Sequence, residues 1–308
     1  MSETVRVNDA RIPAVILAGS RTTKPFFPGD APGYKALLPL LGRPLIEWTL
    51  DAVEGAAGVS DLLVVAPDEV GRALGEHLRV TLVPDRGGFI ENVLAGLKAA
   101  DSERLLFVNC DVPLATPAMI DRFLALAPAA PDVVVSAAEA GSLHSLPLRP
   151  RKPFQPLADG RYAHGNVFLV NHRDRDTTRL RAAVNRMYAR RKLALASATA
   201  LGLRFLCWFL WKCLITHQAT LAELVRHASA IIGVSAAAVI VPYAELALDI
   251  DEPKDYAFAE ALLRLRGHDG TAPRDGENAI GEERGDNDHV LLAEADEISG
   301  TPASPPGD

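Results

Sequence analysis

Along the first half of the chain, strand-length apolar runs alternate with helix-length amphipathic stretches, and that rhythm leaves few folds open. AVILAG (14–19) is followed by a helical pattern in RPLIEWTLDAVEGA (43–56). DLLVVAP (61–67) with EVGRALGEHL (69–78) repeats the pair, and VTLVP (80–84) with GFIENVLAGLKAA (88–100) repeats it again. RLLFVNCDVPL (104–114) precedes TPAMIDRFLALA (116–127), whose proline stands where a helix starts. DVVVSAAEA (132–140) and GNVFLVN (165–171) read as later strands. Strands of about five residues alternating with helices of about ten form βαβ units on a mainly parallel sheet. The predicted class is α/β: a Rossmann-like sheet sandwiched by helices.

Ligands of such sheets bind beyond the carboxyl ends of the strands. Gly19 follows the first strand and Asp111 follows the fourth, so both fall on that edge. A glycine there lets the backbone turn sharply and leaves amides free to meet phosphate oxygens, although it serves equally well as a simple turn. Lys35 then arrives from a Gly- and Pro-rich loop into KALLPL, an arrangement suited to a point charge over a phosphate. A carboxylate at the position of Asp111 can hold a hard cation such as Mg²⁺. Much later, ALDIDEPKDYAFAEALL (247–263) sets Asp249 and Asp251 just before a helix.

Taken in order, LAG, KALLPLLGRPLIEW, NCDVPL, GNVFLV and LDIDEPKDYAFAEA resemble the nucleotidyltransferases with a molybdenum-cofactor cytidylyl/guanylyltransferase-like (MobA-like) NTP transferase domain, within the GT-A-like superfamily. The resemblance covers about 12–171 and 240–263. It implies a phosphate loop at Leu17, Ala18, Gly19, Ser20 and Arg21, a catalytic lysine at Lys35, and a catalytic, metal-holding aspartate at Asp111. The later metal aspartate falls on Asp251, with Asp249 as the alternate. Gly88 and Asn92 are implied for the base and ribose, and Gly165 and Asn166 for the acceptor, with His164 beside them. Ser20 replaces a second glycine of the family pattern, and the first loop is longer and interrupted by prolines.

The chemistry so implied is Mg²⁺-dependent transfer of a nucleoside monophosphate from a nucleoside triphosphate to a phosphorylated small molecule or lipid, with release of pyrophosphate. Positioning and charge neutralisation carry such a reaction. No Ser–His–Asp or Cys–His constellation is evident. Two alternatives stand beside it. One is a non-catalytic nucleotide-binding scaffold of the same fold. The other is a nucleotide-sugar glycosyltransferase, against which NCDVPL lacks the D-x-D expected at the metal.

Charge divides the chain. From 267 to 308 there are 11 acidic and 2 basic residues, leaving 28 acidic and 30 basic elsewhere. That Gly-, Pro- and acid-rich tail is expected to be disordered, and 1–266 to form one domain with a helical insertion at about 172–235. Within the insertion, 172–192 carries eight Lys/Arg against two acids, and 193–215 is apolar but for Arg204 and Lys212. Three readings of 193–215 stand: a helix packed on the core or across a homodimer interface, a helix on a membrane surface, and a span. Because the aromatic residues form a block separate from the basic stretch, nucleic acid is not expected as a partner. MSETVRVNDARIP does not have the pattern of a signal peptide. Three cysteines without pairing logic point to a reducing cytoplasm, and the membrane-surface reading would add contact with the inner face of the membrane.

Overall fold

The computed structural model describes residues 11–22, 25–27, 33–75, 80–150, 152–171, 207–268 and 290–291. β1 (Ile12–Leu17) leads through a short hairpin, β2 (Pro39–Leu40) with β3 (Arg43–Pro44), into α1 (Leu45–Glu54). β4 (Val59–Ala66), α2 (Asp68–Leu74), β5 (Val80–Pro84), α3 (Phe89–Ala99), β6 (Arg104–Asn109), α4 (Pro117–Leu126) and β7 (Val133–Glu139) continue the predicted alternation. There follow β8 (Gln155–Leu157), β9 (Gly160–Asn171), α5 (Leu221–Ile232), β10 (Ala236–Val241), α6 (Pro253–Leu265) and β11 (Val290–Leu291).

The main sheet has the order β11-β10-β7-β9-β6-β1-β4-β5, with β8 paired to β9. β5, β4, β1 and β6 are parallel, as are β7 and β10, while β9 runs antiparallel between β6 and β7. The α/β, mainly parallel architecture is therefore present. Its layering follows from period two. Ala14, Ile16, Leu106 and Val108 pack on one face with Ile46, Val53, Ile120 and Phe123 of α1 and α4. Val15, Leu17, Leu105 and Phe107 pack on the other with Val93 and Leu97 of α3.

Local signals set the ends of the elements. Pro117 occupies the first turn of α4, where its missing amide costs nothing. α5 opens on a reciprocal capping box between Thr220 and Glu223 and closes on Gly233 at φ 79°. The run predicted as a strand over 104–114 stops at Asn109. Cys110 still donates to Leu17 O at 3.2 Å, but Pro113 has no amide to extend the ladder, and the chain turns with Ala115 N on Val112 O.

A third apolar cluster joins Phe26, Leu40, Leu45, Trp48 and Leu114 to Leu248, Ile250, Ala259, Leu262 and Leu263. It seats α6 against the β2–β3 hairpin and α1. From Cys207 onward the apolar run is described. Trp208, Phe209 and Cys213 pack with Leu157, Tyr162 and Leu221, while Trp211 and Ile215 are exposed. Among the described residues no helix is long and apolar enough to cross a membrane. Residues 172–206, with the basic stretch and most of 193–215, lie outside the described residues. So does the expected tail, apart from Gly267, His268 and β11. Cys110, Cys207 and Cys213 are free thiols.

Candidate active site

β4 lies on one side of β1 and β6 on the other, so the chain switches direction between β1 and β6. Those two strands end level, with Leu17 paired to Asn109. A crevice outside the carboxyl ends at a switch point is where open α/β sheets bind ligands. Gly19 and Asp111 stand on its two lips.

Beyond Gly19 the first loop is zipped at its base. Thr22 N donates to Gly33 O at 2.9 Å, Gly33 N to Thr22 Oγ1 at 3.0 Å, and Lys35 N to Ser20 O at 2.9 Å. Arg21 stacks over the Tyr34 ring at 4.4 Å and donates to its hydroxyl at 3.0 Å. Leu17 and Ala18 are buried, and the Ala18 amide is used by Val65 O at 2.9 Å. The amides of Gly19, Ser20 and Arg21 have no acceptor among the described residues. Gly19 itself is required by packing: a Cβ there would lie 2.4 Å from Asp85 Oδ1 and 2.7 Å from Asn92 Nδ2.

The ladder delivers Lys35 across the crevice to Asp111. Lys35 Nζ donates to Asp111 Oδ2 at 3.0 Å and to Asp251 Oδ1. Ile250 N donates to Asp111 O at 3.0 Å, docking the D-I-D segment by its backbone. Ile250 is fully buried in the cluster beneath α6, and the two aspartates flanking it reach back to Asp111. Asp111, Asp249 and Asp251 each place a carboxylate oxygen within 4.8 Å of the other two. Asp249 also accepts from Lys152 Nζ.

Electrostatics follow from burial and these pairings. Burial pushes the Asp111 carboxyl above the usual carboxylate range, Lys35 opposes the shift, and Asp249 and Asp251 add to it. Burial alone would lower the Lys35 ammonium, but Asp111 and Asp251 more than offset it and hold its pKa above the ordinary lysine value. Asp249 is held below the carboxylate range because Lys152 outweighs its burial. Three carboxylates face two ammonium groups, leaving a net charge of −1 over an all-oxygen donor set. That donor chemistry fits a hard divalent cation such as Mg²⁺.

The remaining residues singled out from sequence are placed as follows. Asn92 is buried, donating to Asp85 Oδ1 at 2.5 Å and accepting from Arg86 N at 2.7 Å, so it fastens the β5–α3 turn beside Gly19. Gly88 caps α3. Asn166 is buried; it accepts from Asn109 Nδ2 at 2.8 Å and donates to Leu246 O at 3.4 Å, tying β6, β9 and the turn before Asp249. Gly165 lies in a bulge of β9 opposite Ser136 of β7, where a Cβ would lie 2.1 Å from Ser136 Oγ. His164 is exposed on β9. Sequence reading did not find Lys152. It lies in RPRKPF, with no motif around it, and only the fold brings it to Asp249, 97 residues away.

The chain is 40% identical over 128 residues to a 2-C-methyl-D-erythritol 4-phosphate cytidylyltransferase of Cereibacter sphaeroides, covering 38% of this chain and 54% of that one. It is 31% identical over 114 residues to a molybdenum cofactor guanylyltransferase of Serratia proteamaculans, covering 36% and 54%. The chain thus spans about half the length of the curated relatives it matches. A hypothetical transferase from Thermus thermophilus superposes with a TM-score of 0.67 at 30% identity, covering 80% of this chain and 99% of that one. Residues 14–178, more than half of the chain and the part that holds Gly19, Lys35 and Asp111, match the family model of the MobA-like NTP transferase domain, and the chain belongs to that family.

Proposed function

We propose that the protein is a nucleotidyltransferase that moves a nucleoside monophosphate from a nucleoside triphosphate to a phosphorylated small-molecule acceptor. An acceptor phosphate oxygen forms the new bond to the α-phosphorus, the bond from that phosphorus to the bridging oxygen of the β-phosphate breaks, and pyrophosphate leaves. The observation that carries this reading is Lys35, pinned between Asp111 and Asp251 across the switch-point crevice and beside three amides that lack acceptors among the described residues. The amides of Gly19, Ser20 and Arg21 cradle the phosphates, and the ammonium of Lys35, kept charged by its surroundings, stabilises the charge developing on the leaving oxygens. Mg²⁺ held by Asp111 and Asp251, with Asp249 beside them, would neutralise the phosphate oxygens and make the α-phosphorus more electrophilic. Gly88 and Asn92 shape the nucleoside side of the crevice, and Gly165 and Asn166 the acceptor side. Residues 1–266 act as one catalytic unit and 267–308 as an appended tail.

The curated relatives act, by their names, on a polyol phosphate with a cytidylyl group and on molybdenum cofactor with a guanylyl group. Phosphorylated acceptors with CTP or GTP are therefore the first panel, with a lipid phosphate as a third arm. Calorimetric titration with ATP, CTP, GTP and UTP, with and without Mg²⁺, is expected to give one tightly bound triphosphate. Its binding is expected to need the metal and to weaken at least about tenfold in Asp111→Asn, a change of about 1.4 kcal/mol. Pyrophosphate release on adding acceptor then names the acceptor. If no triphosphate binds at millimolar concentration, the proposal fails and a non-catalytic role for the fold takes its place.

A further inference from the structure

We infer that Tyr256 is a positioning residue, the strut that holds the lysine-delivering loop and the Asp251-bearing helix in one register. This rests on the nucleotidyltransferase reading for its consequence, though not for its geometry. Lys35 and Asp251 are 216 residues apart, and the Asp251 side chain is 62% exposed, so their meeting depends on how two separate segments are seated.

Tyr256 touches both arms of the first loop. Before Lys35, its ring receives Phe27 edge-on at 5.1 Å and Phe26 at 6.5 Å. After Lys35, its hydroxyl donates to Pro39 O at 2.7 Å. Tyr256 directly follows Asp255 of the capping box of α6, in which Asp255 Oδ2 accepts from Glu252 N at 2.9 Å and from Asp251 N at 3.3 Å. The helix end that aims Asp251 and the loop that aims Lys35 are thereby joined through one side chain. Phe26 is nearly buried and belongs to the apolar cluster with Leu248, Ile250 and Leu263, so the join is continuous with the core beneath Asp249. The first loop thus carries, in Phe26 and Phe27, the aromatic anchors that meet Tyr256.

Edge-to-face aromatic pairs and a tyrosine hydrogen bond are each worth about a factor of three to ten in an equilibrium. Tyr256→Ala is expected to weaken triphosphate binding about tenfold to thirtyfold, and Tyr256→Phe, which keeps the aromatic contacts, about threefold. The discriminating measurement is made in the Lys35→Ala background, where adding Tyr256→Ala should change binding less than twofold if Tyr256 acts through Lys35. A merely structural tyrosine would cost the same in both backgrounds, which would overturn the inference. A readout without nucleotide separates this inference from the proposed function. The rate at which an amine-reactive reagent labels Lys35, followed by mass spectrometry, is expected to rise at least about fivefold in Tyr256→Ala and in Phe27→Ala. Unchanged labelling in folded variants would refute the strut even if the enzyme proves active. Raised labelling without triphosphate binding by the wild type would keep the strut and sink the nucleotidyltransferase reading.

Discussion

Replacing Lys35 with methionine keeps the stem and removes the ammonium, which isolates what that charge does for the fold. At 3.0 Å from Asp111 Oδ2, with side-chain exposures of 11% and 9%, the pair attracts by about 5.5 kcal/mol at an effective dielectric constant of about 20. Much of that is offset by the cost of burying the ammonium, so breaking such a pair typically loses about 3–5 kcal/mol. The carboxylates left behind lie within 4.8 Å of one another, where each like-charged pair repels by about 3.5 kcal/mol on the same scale. Asp251 is largely solvated, so its share is well below that. A loss of about 3 kcal/mol at pH 7.5 in EDTA, read by urea unfolding, is the expected result. The pH dependence has a definite sign. The Asp111 carboxyl already titrates above its ordinary value, and without Lys35 it moves further up. Its ionised form then opposes folding, and the penalty disappears as pH falls through the folded-state value. The gap between variant and wild type should narrow as pH falls, and Mg²⁺ at pH 7.5 should narrow it by mass action on the folded state. A loss below about 1 kcal/mol, or a gap indifferent to pH, would refute the charge balance argued for this cluster.

Other outcomes follow from separate parts of the structure. Gly19→Ala forces a methyl against Asp85 and Asn92 and should cost about 2–4 kcal/mol in chemical unfolding, partly recovered in the Asn92→Ala background. Arg266→Met leaves Glu245, 4% exposed and with Oε2 already lacking a partner among the described residues, as an uncompensated buried charge. A loss of about 3–5 kcal/mol is expected, mostly relieved by adding Glu245→Gln. Asp249 titrates below its ordinary value of 3.8, so it contributes stability above that value that is lost as pH falls through its folded-state value. Lys152→Met should therefore cost more at pH 7 than at pH 3, by about 1 kcal/mol or more, measured by urea titration at the two pH values.

Much of the frame was legible because short buried strands and amphipathic helices carry opposite periodicities. β1, α1, β4, α3 and α4 overlap the segments expected from sequence, β6 does so only as far as Asn109, and Gly19 and Asp111 share one edge of the sheet as expected. Strand direction was not legible: nothing in GNVFLVN distinguishes an antiparallel strand between two parallel ones, because both faces are buried either way. The cation partners divide in the same manner. Lys35 sits in KALLPLLGRPLIEW, a motif that resembles the family's, whereas Lys152, between Arg151 and Pro153, becomes visible only once Asp249 is placed. Asn92 and Gly165 illustrate the converse. They were singled out as ligand contacts, and here each has a packing duty: fastening the turn beside Gly19, or making room for the Ser136 hydroxyl.

Asp111 and the D-I-D segment that completes its cluster are separated by well over a hundred residues, and this separation has a temporal consequence. Chains are synthesised at roughly 5–20 residues per second, so on the order of ten seconds pass between the making of Asp111 and that of Asp249 and Asp251. During that interval β1, β6 and Lys35 already exist, but the crevice has only one of its three carboxylates. Under the proposed function, a nascent chain therefore offers divalent ions and nucleotides no assembled site. On that reading the site is completed only when the D-I-D segment before α6 has been made.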